Sequence, residues 1–313
     1  MTAAVDVSAL VHDHRAHLWA LAYRITGVAA EADDVVQDTF RRAIERPPAD
    51  LSRPWRPWLA RVATNLAVDT LRRRMRERYS GPWLPGPVET DELGERLADG
   101  IDVEARYDAA ESATLAFLVA LEVLTPRQRA VLVLCDALGY TGPEVADILG
   151  MTHDNVRMTL HRARKAVAGY DRARCRPSPE LRERMHAALQ RFTDALVTGD
   201  PQRVAALLAE DVRTVNDGGG VFRAARKIVV GPESVAKLYV GLFKHGGVPT
   251  RVLERTINGV PALDVTFPQD DPKNAARSLL WLELDDRDAI RAIHIVLAPA
   301  KLTGVPEPTV DAA

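Results

Sequence analysis

Residues 124–167 read LTPRQRAVLVLCDALGYTGPEVADILGMTHDNVRMTLHRARKAV. Thr125-Pro126-Arg127-Gln128 is a capping box with proline at the first helical position, and the helix it opens carries Val131, Leu134 and Leu138 to a stop at Gly139. Thr141-Gly142-Pro143-Glu144 is a second capping box, starting a short helix that turns Val145, Ile148 and Leu149 inward. Gly150 makes the turn, and Thr152 caps a third helix with Val156, Leu160, Ala163 and Val167 on its inner face. Arg157, His161, Arg164 and Lys165 face outward. The pattern predicts a helix-turn-helix whose second helix presents basic and polar residues from its N-terminal end, where major-groove readers place their base contacts.

The chain around this motif has 313 residues, with 41 Lys and Arg against 43 Asp and Glu, 47% hydrophobic residues and 5% aromatic ones. That length accommodates two or more domains, each with its own core. Cys135 lies in an apolar stretch and Cys175 in a polar one, so neither a disulfide framework nor a CxxC metal spacing is present. No apolar run reaches the roughly 18 residues of a membrane span, and no secretory leader pattern opens the chain. The expectation is a cytoplasmic protein without a membrane partner.

The near-zero net charge conceals strong segregation. Arg53 to Gly81 carries eight arginines against Asp69 and Glu77, and Asn155 to Arg176 carries seven basic residues against Asp171. Between them, Val88 to Glu111 carries nine acids against Arg96 and Arg106. Two basic regions separated by an acidic spacer are compatible with solvated helix faces or with nucleic-acid contacts.

The segment from about Ser8 to Arg78 reads as helices. Leu10, Leu18, Leu21, Ala22 and Ile25 recur at helical spacing up to Gly27. Next, Val36, Phe40, Ala43 and Ile44 form an apolar stripe, while Asp34, Gln37, Asp38 and Arg41 share another face at i, i+3, i+4 and i+7. A third helix follows Pro54-Trp55-Arg56-Pro57, with Leu59, Val62, Ala63, Leu66 and Thr70 on one side and Arg61, Asn65, Asp69, Arg72 and Arg76 on the other. An Arg/Asn stripe suits phosphates and base edges. Gly81 to Glu111 reads as a linker, except that the apolar Trp83-Leu84 pair between prolines is expected to dock on a folded surface or to cap the preceding helix.

These residues carry a family resemblance. Ala30 to Phe40 (AEADDVVQDTF) and Trp58 to Arg74 (WLARVATNLAVDTLRRR) resemble the two region-2 blocks of extracytoplasmic-function sigma factors, and Leu124 to Arg129 through Arg162 to Ala166 resembles their region 4. The resemblance implies that Asp34, Gln37, Asp38 and Arg41 dock the beta-prime clamp helices of core RNA polymerase, with region 4 meeting the beta flap. It implies that Arg61, Asn65, Asp69, Arg72 and Arg73 bind the minus-ten element, aided by an Asp50 to Pro57 loop that takes up a flipped base. Thr152, His153, Asn155, Arg157, Met158, His161, Arg162, Arg164 and Lys165 would bind the minus-thirty-five element in promoter DNA. Arg157-Met158-Thr159 departs from the Arg-Ser-Arg frequent in the family, so the promoter sequence does not carry over.

About 140 residues follow region 4. Pro177-Ser178-Pro179 marks a boundary; Leu181, Met185, Leu189, Phe192 and Leu196 predict an amphipathic helix ended by Gly199, and Val204, Leu207 and Leu208 a shorter one. Strands are predicted at 212–215, 227–230, 251–257, 263–267, 278–284 and 290–297, with a helix over 233–243 and hairpin turns at Asn258-Gly259 and Asp285 to Asp288. This order resembles the SnoaL-like branch of the NTF2-like fold. The fold class expected is therefore multidomain: an all-α region-2 helical bundle (1–80), a linker with a Trp-Leu-Pro motif and acidic stretch (81–111), an all-α region-4 helix-turn-helix (112–175), an α+β NTF2-like/SnoaL-like cone (178–305) and a tail (306–313).

With Trp83-Leu84-Pro85 in the linker and Asp217-Gly218-Gly219-Gly220 behind it, the chain resembles SigJ-type sigma factors with a SnoaL-like extension. There the glycine motif is linked to control of sigma function; Val221 stands where that group usually has lysine, and Lys301-Leu302 is what remains of its C-terminal Asn-Pro-Asp-Lys-Leu pattern. The reading is a sigma factor without cofactor or catalytic residue, whose extension modulates activity and could bind a small-molecule or protein ligand. The alternative is a SnoaL-like enzyme of cyclase or isomerase type tethered to a DNA-binding module, with Asp217, His245, Asp264 and His294 as its candidate acid–base groups.

Overall fold

A computed structural model describes residues 6–77, 79, 81–98, 113–170, 178–245, 248–268 and 271–307. The chain forms two compact units, one of residues Met1–Arg78 and Asp91–Arg176, the other of Tyr79–Thr90 and Pro177–Ala313.

The first unit is helical. α1 (Val7–Thr26) is capped by the Asp6 side chain and stopped by Gly27 at φ 77°, a left-handed turn that glycine adopts without strain. α2 (Ala29–Glu45) and α3 (Trp55–Arg76) complete a three-helix bundle. Its core is alanine-rich where helices meet: Ala32, Ala60, Ala63 and Ala67 are all fully buried. These small residues allow close approach and rotate the inner face of α3 toward Ala60, Ala67, Val68 and Leu71, leaving the expected Val62, Leu66 and Thr70 half-buried. Ile44, expected in the stripe of α2, is 56% exposed near the helix end.

α4 (Thr90–Ala98) places a helix inside the stretch read as linker, and Arg96 on it bonds Asp33 at 3.0 Å and covers the Trp19 ring at 4.9 Å. α5 (Leu115–Ala120) leads to α6 (Pro126–Leu132), which continues into a π-turn over Val133–Ala137, then α7 (Gly142–Leu149) and α8 (His153–Ala166). Both predicted capping boxes form, and Gly139 and Gly150 take positive φ.

The second unit is α+β. α9 (Pro179–Thr198), α10 (Pro201–Ala205) and α11 (Pro232–His245) accompany a six-stranded sheet of order β2-β1-β6-β5-β4-β3. The strands are β1 (Leu208–Asp217), β2 (Val229–Val230), β3 (Arg251–Ile257), β4 (Val260–Thr266), β5 (Arg277–Leu284) and β6 (Ile290–Val296). β1 and β6 pair in parallel and all other neighbours antiparallel. Leu208 opens β1, where it extends the strand instead of the short helix expected from its apolar spacing. Val212, Leu280, Leu282 and Ile293 pack against Phe192, Val235 and Tyr239 of the helices. Asn258 and Gly259 at φ 46° and 85° form the predicted β3–β4 turn.

Candidate functional site

On α2, Asp34, Gln37 and Arg41 are exposed and Asp38 half-buried, with Arg41 3.0 Å from Asp38. On α3, Arg61, Asn65, Asp69, Arg72 and Arg73 are all exposed, and Arg72 donates to Asp69 at 3.0 Å. On α8, Thr152, His153, Asn155, Arg157, Met158, His161, Arg162, Arg164 and Lys165 are exposed. Thr152 accepts from the Asn155 N–H at 3.3 Å, and Arg157 lies 3.5 Å from Asp154. Arg164 is spoken for, because its guanidinium clasps Asp136 at 2.9 and 2.7 Å.

Within the first unit, the two helical modules are joined by contacts that the sequence did not announce. Arg129, buried, donates to the Arg24 carbonyl at 3.1 Å and pairs with Glu122, while Arg74 donates to the Thr26 carbonyl at 2.8 Å and lies 3.6 Å from Glu122. Both cations thus meet carbonyls at the C-terminal end of α1, where the helix dipole favours positive charge. His17 lies 2.6 Å from the Tyr140 hydroxyl and 3.2 Å from Arg56. Burial, then the charges of Arg56, Arg24 and His14, push His17 down to about 3, so the ring is neutral near pH 7. Since Arg56 can only donate, His17 Nδ1 accepts and Nε2–H donates to Tyr140. Asp147 and Ile148 of α7 join Asp50, Arg53, Pro57, Trp58 and Arg61 around a cavity of about 350 Å³.

The densest polar cluster lies in the second unit. The Asp217 carboxylate is wholly buried at the end of β1. It accepts from the Tyr79 hydroxyl, from the Leu84 N–H at 2.7 Å, from the Gly219 N–H at 3.0 Å and from Lys301 Nζ. Lys301 also donates to the Leu84 carbonyl at 2.7 Å and stands 3.9 Å from the centre of the Trp83 ring and 4.6 Å from that of Tyr79. Leu84 is 1% exposed, and Pro85 through Val88 are buried. A Cβ on Gly86 would come within 2.7 Å of the Lys301 carbonyl oxygen, so this position requires glycine. Beyond it, Val88 N–H donates to Asn258 Oδ1 at 2.8 Å, Glu89 N–H to the Gly304 carbonyl at 2.8 Å, and the Gly259 N–H to Thr90 Oγ1 at 2.9 Å.

Trp83-Leu84 therefore docks on a folded surface, as one of the two sequence readings has it. Gly218, Gly219 and Gly220 form the turn that returns the Gly219 N–H to Asp217, with Gly219 at φ 66° and its pro-Cβ position 2.9 Å from Ala298. The glycines thus form a backbone turn, and that turn also donates a hydrogen bond to the carboxylate. Tyr79, Gly86 and Asn258 were missed; Asn258 carried only a turn signal, and its side chain does a second job on the linker.

The Sigma-70 region 2 family matches residues 10–77 and the Sigma-70, region 4 family matches residues 114–167. Over 236 residues, 74% of this chain and 72% of the relative, the sequence is 36% identical to ECF RNA polymerase sigma factor SigJ of Mycobacterium tuberculosis. The chain belongs to the extracytoplasmic-function RNA polymerase sigma factors. ECF RNA polymerase sigma factor SigG of Mycobacterium tuberculosis is 33% identical to this sigma factor over 311 residues, 93% of this chain and 80% of the relative. The crystal structure of Mycobacterium tuberculosis SigJ superposes with a TM-score of 0.71 at 29% identity, covering 96% of this chain and 99% of that one. The sigma modules are followed by an α+β domain, which the match to the SigJ structure includes. Among the described residues, no helix is long and apolar enough to cross a membrane.

Among the described residues, each candidate acid–base side chain of this sigma factor is engaged by its own partners. Asp264 is held by Arg277 through two bonds of 2.8 Å and by Arg255 at 3.4 Å. His294 stacks on Trp281 and contacts Glu283 at 3.0 Å. His245 ends α11, and its side chain lies outside the described residues. Burial alone would raise Glu283, but the hydrogen bond and charge of His294 with the charges of Arg291 and Arg213 hold it down to about 2. A carboxylate depressed in the folded state stabilises above its unfolded value, and that contribution disappears as pH falls from about 4.5 to about 2. Acid titration of the full chain is expected to show the second unit losing stability in this window, and Glu283→Gln is expected to flatten the loss.

Proposed function

We propose that this sigma factor recruits core RNA polymerase through the α2 face and reads its promoter with the exposed faces of α3 and α8, while the fused SnoaL-like domain modulates initiation by gripping the linker between them. The observation that carries the regulatory part is the Asp217–Lys301 pair closing on Leu84 and Trp83. A linker bonded through its backbone at Leu84, Val88 and Glu89 and through the Thr90 hydroxyl is not free to extend. Twelve residues, Tyr79–Thr90, belong to that gripped segment and would span about 40 Å if released and stretched.

The cavity beside the Asp50 to Pro57 loop supports the assignment of flipped-base capture to this region, with α7 forming one wall. Promoter engagement would part α7 from α3, since minus-ten and minus-thirty-five elements lie about 25 base pairs, roughly 85 Å, apart in B-form DNA. Region 4 would then also meet the beta flap. We read the SnoaL-like domain as non-catalytic, because Asp217 and Asp264 are each held by several donors and His294 is engaged with Glu283 and Trp281.

Charge reversal tests the docking face. An Asp34→Lys/Asp38→Lys chain is expected to lose core polymerase in pull-down by about tenfold or more, the cost of like-charge juxtaposition at an interface. Both positions are away from the core, so its melting temperature should stay at that of the parent. Undiminished capture of core polymerase would contradict the assignment.

A further inference from the structure

We propose that the second unit carries a binding pocket for a small organic anion of the phosphate-monoester type, set between the glycine turn and the start of the linker. The cavity measures about 450 Å³, within the range of small-molecule sites. Arg223, Arg226 and Lys273 line it, and no carboxylate does. Arg223 is paired with Asp271 at 2.7 Å, and the charge of Lys273 acts on the same carboxylate, so three cations share one acid. Three cations against one carboxylate leave a net positive potential, and a doubly charged phosphate answers it with charge-assisted hydrogen bonds.

The walls select the rest of the ligand. Phe222, half-buried, and Pro82 offer apolar surface next to the cations, so an anion bearing a small flat apolar group fits better than a bare ion. The pocket also touches the linker grip. Gly218 and Gly220 belong to the turn beside Asp217, and Gly81-Pro82 immediately precedes Trp83. An occupied pocket would therefore tighten the linker, a consequence that rests on the regulatory role proposed above.

Isothermal titration of the full chain with phenyl phosphate, and with phenol as the uncharged control, tests the pocket. Phenyl phosphate is expected to bind at least about tenfold more tightly than phenol, and an Arg226→Ala/Lys273→Ala chain to bind it at least about tenfold more weakly than the parent. Arg226→Gln/Lys273→Gln, which keeps the length of both side chains, should show the same loss. Equal binding of phenol, equal binding by both variants, or no binding by the parent would overturn the proposal. The consequence for the linker has its own readout: hydrogen exchange over residues 84–90 should slow with phenyl phosphate. Binding without that slowing would overturn the link to regulation and leave the pocket standing.

Discussion

An Asp217→Ala chain is expected to lose about 3–5 kcal/mol of stability in its second unit, the cost of leaving one partner of a buried ion pair without the other. Lys301, 6% exposed, would keep the Leu84 carbonyl and the faces of Trp83 and Tyr79 but no counter-ion. The Tyr79 hydroxyl and the N–H groups of Leu84 and Gly219 would lose their acceptor together. Hydrogen exchange in β1 and along residues 84–90 is the direct measurement, because the strand end and the linker share this carboxylate. Lys301→Met should cost less, since Asp217 would retain three hydrogen-bond donors. Equal protection of the linker in parent and Asp217→Ala chains would contradict the role given to the pair.

A loss of similar size, about 3–5 kcal/mol, is expected for Asp264→Ala, for a related reason. Asp264 is 1% exposed and receives Arg277 by two parallel bonds, the strongest geometry available to that pair, with Arg255 at 3.4 Å. Its removal would set two guanidinium groups against each other across β3, β4 and β5. Arg277 also donates to the Val305 carbonyl at 3.0 Å, so the C-terminal segment should loosen with it. Thermal unfolding followed by circular dichroism would register the change. A small effect from Asp264→Ala would mean that the arginines are solvated well enough to stand alone.

The parts of this molecule legible in the sequence are those decided within a few residues. Thr125-Gln128 and Thr141-Glu144 announced two helices because a capping box is satisfied locally, and Gly27, Gly139 and Gly150 announced their ends because left-handed backbone selects glycine. The Asn258-Gly259 hairpin was readable for the same reason. Ile44 was misplaced because helical periodicity does not say where a neighbouring helix stops covering a face. Leu208 was misplaced because an apolar residue after a short helix suits either a further turn or a strand.

Long-range chemistry was legible only through resemblance, and then only in part. Asp217 reaches Leu84 across 133 positions and Lys301 across 84, distances over which spacing carries no signal. The family patterns pointed to Trp83, Leu84 and Lys301, yet nothing singled out Tyr79 or Gly86, which complete the same cluster. The junction within the first unit was equally silent: Arg129 looked like one more basic residue at the start of a helix, and His17 like one polar position on α1. Burial and partners distinguish them, and those exist only after the modules meet.

Run-off transcription with core RNA polymerase, comparing the full chain with Asp217→Ala on the same promoter, tests the central claim most directly. The account predicts that the full chain supports initiation and that the variant, with its linker released and its two DNA-reading faces left free to part, initiates at a higher rate. Initiation at the same rate in both, or none from the full chain, would contradict it.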